Sequence, residues 1–172
     1  MEFMMKRKVI RKQPNSKMCL VCGLKNSLGL KAHFYELENK ELVGIFKPIE
    51  EHQGYPGRLH GGIISAVLDE TIGRAIMIGY EEDVWFVTVE FNVRFKKPLP
   101  LDEEIKVKAR ITRETNRIYE GSGEIRLESG EIAAEGYGKY MKLPIDKIAD
   151  FDYEDQEWGV VREEKDPKEI DI

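Results

Sequence analysis

GYPGRLHGGIISAVLDETIGRAIMI, residues 54–78, decides the fold. A glycine-rich turn runs directly into the one long apolar helical pattern of the chain. With ~100° per residue from a start near His60, Ile64, Val67, Leu68, Thr71, Ile72, Ala75 and Ile78 fall on one broad face suited to a covering sheet. Glu70 and Arg74 lie four apart on another side, the spacing of a helical ion pair. Asp69 has no such partner. A carboxylate in an apolar helix is costly unless bonded or used, so it serves either as an interface carboxylate held by a neighbouring strand or as a chemical group. Asp69 shares a narrow strip with Ser65 and Gly73, where small residues admit a close-packed backbone.

The turn supplies a second group. His60-Gly61-Gly62 opens the helix, which directs the Gly61 and Gly62 amides outward at the positive end of its dipole. Such an end accepts an anion or a developing oxyanion, and glycine lets a ligand approach the backbone. His60 is an acid or base candidate, although before a glycine pair an orienting, hydrogen-bonded role is the commoner one. Gly61 and Asp69 are eight residues apart, ~12 Å along a helix axis, whereas groups sharing one reaction must converge within ~3 Å of the reacting centre. If the two cooperate, they come from two helices. The chain offers one, so the site is expected across a homodimer interface.

Working outward, residues 31–37 and 41–48 form a hairpin around the turn cluster Glu38-Asn39-Lys40. WFVTVEFNVRF (85–95) alternates strictly, with Val87, Val89, Phe91, Val93 and Phe95 on one face and Thr88 on the other. Residues 104–114, 117–128 and 131–143 follow as strands, with Asn116-Arg117 and Ser129-Gly130 at the turns. The pattern is α+β: one long helix against a mostly antiparallel sheet of about five to six strands. Residues 1–17 carry six Lys/Arg against one Glu, and residues 146–172 carry eleven Asp/Glu against four Lys/Arg. They are taken as a basic N-terminal arm and an acidic C-terminal tail flanking a domain over 18–145, with a short helix within 144–151.

The chain has 172 residues, 41% hydrophobic and 34% charged, with net charge −5. It is long enough for one sizeable core, and no apolar run approaches the ~20 residues of a membrane span. An acidic chain whose basic stretch lacks aromatics is a poor nucleic-acid binder. Two cysteines, Cys19 and Cys22, do not make a disulfide framework, which favours a cytoplasmic location. As C-x-x-C they read as structural thiols, half of a metal site, or a redox pair. The other half of a zinc site is missing, since His33, His52 and His60 lack ligand spacing, and no βαβ pattern flanks them. No metal or cofactor is expected.

CLVCG near the start, H-x-G-x-P-G-x-x-H-G-G (His52 to Gly62), LDE and VTVEFNVRFKKPLP together resemble the hotdog-fold acyl-CoA thioesterases of the PaaI-like branch, over residues 18–143. The resemblance implies a helix wrapped by an antiparallel sheet, a homodimer that can pair into a tetramer, and metal-free hydrolysis of an acyl-CoA thioester. By position, Asp69 matches the catalytic carboxylate, as general base or nucleophile, and Gly61 the oxyanion donor. Thr88 matches a residue holding the attacking water, and His60 the motif histidine. Some relatives carry Asn where this chain has Gly54, so that polar contact is absent or comes from His52 or Gln53. Thr88 lies on the wrong strand face unless a bulge or the partner's geometry re-aims it. Gly62, His52, Gly54, Arg58, Arg94, Lys96 and Lys97 are the substrate-binding candidates, the cations for CoA phosphates. The other functional class is a non-catalytic acyl-CoA or acyl-ligand binding protein using the same pocket.

Overall fold

A computed structural model describes residues 5–172. The remaining residues of the basic arm, 1–4, lie outside the described residues. The elements run β1 (Lys6–Lys12), β2 (His33–Leu37), β3 (Leu42–Phe46), α1 (Gly61–Arg74), β4 (Phe86–Phe95), β5 (Ile105–Glu114), β6 (Ile118–Arg126), β7 (Ile132–Lys142) and β8 (Glu169–Asp171). They form one antiparallel sheet in the order β4-β7-β6-β5-β3-β2-β1-β8, with α1 lying across it. Eight strands replace the expected five to six. The two additional strands come from the segments read as charged arm and tail. Lys6, Arg7 and Lys8 of β1 pair with Asp171, Ile170 and Glu169 of β8, so opposite charges meet along the ladder.

The helix face expected from periodicity is the one that packs. Ile64, Val67, Leu68, Thr71 and Ile72 are buried against the sheet. Close approach is possible because glycines stand opposite: a Cβ at Gly121 or Gly123 would come within 2.7 or 2.9 Å of the Ile72 side chain. The α-helix ends at Arg74 rather than Ile78, and the chain continues as a 3-10 turn over Ala75–Gly79. The strip at Gly73 receives a ring rather than a backbone: a Cβ there would sit 2.3 Å from Phe86. The opposite sheet face is covered around Tyr35, Leu37 and Val43, where Ile170 packs. The short helix expected within 144–151 is a 3-10 turn over Ile145–Lys147.

The strict alternation of β4 does not hold. Its register against β7 shifts between Thr88 and Glu90, leaving Val89 as the extra residue of a bulge. Val89 is 53% exposed, while Phe91 and Val93 join the core. Upstream of the bulge, Phe86 and Thr88 face the helix; downstream, Phe91, Val93 and Phe95 do.

Candidate active site

That bulge gives Asp69 its partner. Thr88 Oγ1 donates to the Asp69 carboxylate, 3.0 Å from Oδ1 and 3.1 Å from Oδ2. Burial pushes the Asp69 carboxyl above its ordinary pKa, opposed by the Thr88 and Tyr140 hydroxyls and assisted by the nearby Glu70 charge. The Tyr140 hydroxyl donates to the Asp69 backbone carbonyl at 3.0 Å, and Tyr119 to that of Gly73 at 2.8 Å. Two sheet tyrosines therefore hold the helical turn that carries Asp69. Sequence reasoning passed over both, although a tyrosine on the core face of a strand needs a buried partner for its hydroxyl.

At the other end of α1, His60 is the N-cap, and its Nδ1 accepts from the Gly62 amide at 2.8 Å. The ring thereby consumes one of the two amides expected to face outward. The Gly61 N–H has no partner among the described residues. It remains a donor at a helix N-terminus. Gly61 lies against Phe95, the last residue of β4, whereas Asp69 lies against Thr88 near its start. Helix and edge strand are thus antiparallel, and a single chain holds the two groups at opposite ends of β4.

The other candidates are dispersed. His52 is buried, its Nδ1 accepting from the Ile49 amide at 3.1 Å and its Nε2 lying 2.7 Å from the Leu28 carbonyl oxygen. It clamps the loop before the helix. The Gly54 amide donates to Arg58 O at 2.8 Å, and a Cβ at Gly54 would press on His60 at 3.3 Å. Arg58 is exposed near the helix start. Lys96 pairs with Glu135, and Lys97 with Glu131 at 3.3 Å, both beyond the Phe95 end. Arg94 falls on the face turned away from α1, in a charged groove of about 630 Å³ that contains none of the helix residues.

Asp69 opens instead onto a cavity of about 420 Å³ under Trp85, Phe86, Met77, Phe151 and Trp158. Its wall includes Cys19, Cys22 and the Glu70–Arg74 pair. Arg74 Nε meets Glu70 at 2.9 Å, its NH1 donates to Pro14 O at 2.8 Å, and its guanidinium lies over Phe34 and Trp158. The Cys22 side chain and burial push the Cys19 thiol up, so it stays protonated and donates to Glu70 at 3.2 Å. Cys19, Cys22 and Glu70 bring three metal-type donor atoms within 4.8 Å of one another, a convergence the cysteine spacing alone did not disclose. The buried Arg74 on Glu70 opposes a cation there, and the thiol–carboxylate bond satisfies the group without one.

One helix against an antiparallel sheet is also what known proteins share with this chain. Residues 56–134 match the family described as Thioesterase superfamily. The fold is the hotdog fold. The chain is 28% identical to acyl-coenzyme A thioesterase THEM4 of Rattus norvegicus over 127 residues, covering 73% of this chain and 54% of that one. It spans about half the length of the curated relatives it matches. Among solved hotdog structures, thioesterase HI1161 of Haemophilus influenzae superposes with a TM-score of 0.63 at 15% identity, covering 72% of this chain and 86% of that one. The PaaI protein of E. coli gives 0.59 at 14% identity, covering 67% and 81%. No helix among the described residues is long and apolar enough to cross a membrane.

Proposed function

We propose that this chain hydrolyses an acyl-CoA thioester to a free acid and CoA. The observation that carries it is Asp69: a carboxyl made more basic by partial burial, aimed by Thr88 and facing an apolar cavity. A base of raised pKa suits proton abstraction near neutral pH. In the general-base route Asp69 takes a proton from a water held beside Thr88, and the hydroxide adds to the thioester carbonyl. The carbonyl oxygen becomes an oxyanion received by a Gly61 amide. Collapse breaks the C–S bond, and the departing thiolate takes up the proton. In the nucleophilic route Asp69 attacks directly and water then cleaves the resulting anhydride. The fold serves both.

The Gly61 amide in this reaction belongs to a second copy of the chain. β4 is an edge strand with ten residues and an open side, a surface that invites pairing. Antiparallel pairing of β4 with itself about a two-fold axis sets the Phe95 end of one copy beside the Thr88 end of the other. Gly61 travels with Phe95 and Asp69 with Thr88, so each Asp69 meets the partner's oxyanion donor. Arg58, Lys96 and Lys97 lie toward the Gly61 end, and the exposed pairings of the two lysines are weak enough to yield to CoA phosphates. Both cysteines are free thiols, in keeping with a cytoplasmic setting.

Asp69→Asn is the test. Release of CoA thiol across a panel of acyl-CoAs is expected to fall by roughly 10²–10⁴-fold with folding and mass intact. Unchanged turnover would overturn the reading, and tight acyl-CoA binding by the native chain without thiol release would mark a sensing protein instead.

A further inference from the structure

The cavity beyond Asp69 has an outer wall that comes from a distant part of the chain. Phe151, Gln156 and Trp158 line it, together with Trp85 at the start of the edge strand. All three distant residues lie after residue 134, where the family match ends. Trp85 is the hub: its ring centroid is 5.0 Å from Phe151 and 4.9 Å from Trp158.

This segment is held in place by its backbone. Asn15 and Gly159 exchange amide–carbonyl bonds of 2.9 and 3.2 Å, and the Lys17 amide donates to Gln156 O at 2.8 Å. Asn15 is itself fully buried, its side-chain amide bonded to the carbonyls of Cys22 and Ala32. Trp158 Nε1 donates to Asp83 at 2.8 Å, which satisfies the indole. Yet the rings of Trp85, Phe151 and Trp158 stay only half-buried. Large aromatic faces fixed at a cavity wall and left partly uncovered are the arrangement of a binding surface rather than of a finished core.

We infer that residues 151–158 form the acyl-selecting wall of the site, with Trp85, Phe151 and Trp158 touching the end of the acyl group remote from the thioester. The inference rests on the hydrolytic reading for the position of the thioester at Asp69. It adds a substrate class: uncharged, apolar acyl groups of limited length. The charges in the cavity beyond Asp69 are already engaged, Glu70 by Arg74 and Asp83 by Trp158. An anionic acyl terminus would find no free cation among them, would face the carboxylates of Asp69 and Asp83, and would lose its hydration. A long chain would meet the indole of Trp158, backed by the Arg74 guanidinium 5.3 Å from its ring.

The test uses the full chain and a series of saturated acyl-CoAs. Trp158→Ala and Phe151→Ala, each checked for folding by thermal melting, are expected to move the optimum to longer chains. The ratio of long-chain to short-chain kcat/KM should rise roughly tenfold, as for a pocket gaining room for one or more methylenes. The change should sit in KM, because the reacting groups are untouched. Gln156→Trp narrows the cavity and should move the optimum the other way. An independent readout exists because Trp85 and Trp158 are the two tryptophans of the chain. Non-hydrolysable S-alkyl-CoA thioethers should alter the intrinsic fluorescence, and the change should grow with chain length until the wall is reached. An unaltered chain-length profile in folded variants, or thioether binding with no fluorescence change, overturns the inference. Failure of the hydrolytic reading is separately visible: Asp69→Asn would keep native turnover, or the native chain would bind thioethers with the fluorescence response but release no thiol.

Discussion

Asp69 shows what a single residue can disclose. Its charge stood out because nothing at helical spacing could neutralise it, and the bond that accommodates it comes from Thr88 on another element. Thr88 opposes the burial-driven rise in the Asp69 pKa. Thr88→Ala should therefore move the acid limb of the pH–rate profile to higher pH, since the active carboxylate form is lost as pH falls through a now higher pKa; a limb that stays put would remove Thr88 from the site. Stability should carry the opposite imprint. A carboxyl whose folded pKa is raised binds more protons folded than unfolded, so the native chain loses stability as pH rises through the interval between the unfolded and folded values. Asp69→Asn has no such loss, and its melting temperature should gain on the native chain across that interval. Tyr140 and Tyr119 were not legible, because their partners are backbone carbonyls, and any residue supplies one.

At the scale of elements, hydrophobic period and turn chemistry disclosed the central hairpins and the helix. Two features escaped them. One is the bulge at Val89: β4 reads as an unbroken alternation, and only its pairing with β7 reveals the slip. Deleting Val89 makes Thr88 and Glu90 neighbours, as their partners Tyr140 and Lys139 already are, so the ladder becomes regular and Phe86, Thr88, Phe91 and Val93 all keep the helix face. Urea denaturation of the deletion variant should show a loss below about 1 kcal/mol, because the residue removed is exposed and outside the ladder; a loss of several kcal/mol would mean that the strand changes phase elsewhere. The other is the pairing of β1 with β8, whose partners lie more than 150 positions apart and whose charged sequence hides a strand. Burial would raise the Asp166 carboxyl, but Lys12, the Glu163 amide and the Tyr35 hydroxyl hold it at about 2. A depressed folded pKa gives stability that is present above the unfolded carboxylate value and lost as pH falls toward about 2. Asp166→Asn should abolish that acid-side loss and lower the melting temperature at neutral pH.

For the whole molecule, the ~12 Å between Gly61 and Asp69 calls for two copies if the two groups share one site, and the antiparallel run of α1 and β4 gives the proposed pairing a geometry. Complementation tests it. Gly61→Pro deletes the oxyanion donor at a helix position where proline is tolerated, and His60 before it is already extended at ψ 135°. Alone, Gly61→Pro should cost about 10²–10³-fold in kcat, and Asp69→Asn alone is inactive. Mixed dimers of the two hold one intact site if acid and donor come from different chains, and should recover activity toward half the native level. If both came from one chain, every site would carry a defect and mixing would recover nothing.

The Val89 bulge has a consequence beyond aiming Thr88. A regular strand can slide along its neighbour by two residues and still keep its faces. β4 cannot slide on β7, because any shift would separate the extra residue from the place where the ladder accommodates it. The free side of β4 is therefore a ruler with a fixed zero: a partner reading its hydrogen-bonding groups finds one phase. Positional accuracy at the acid is set within the chain, and in the proposed dimer a second copy would inherit it by pairing rather than having to create it.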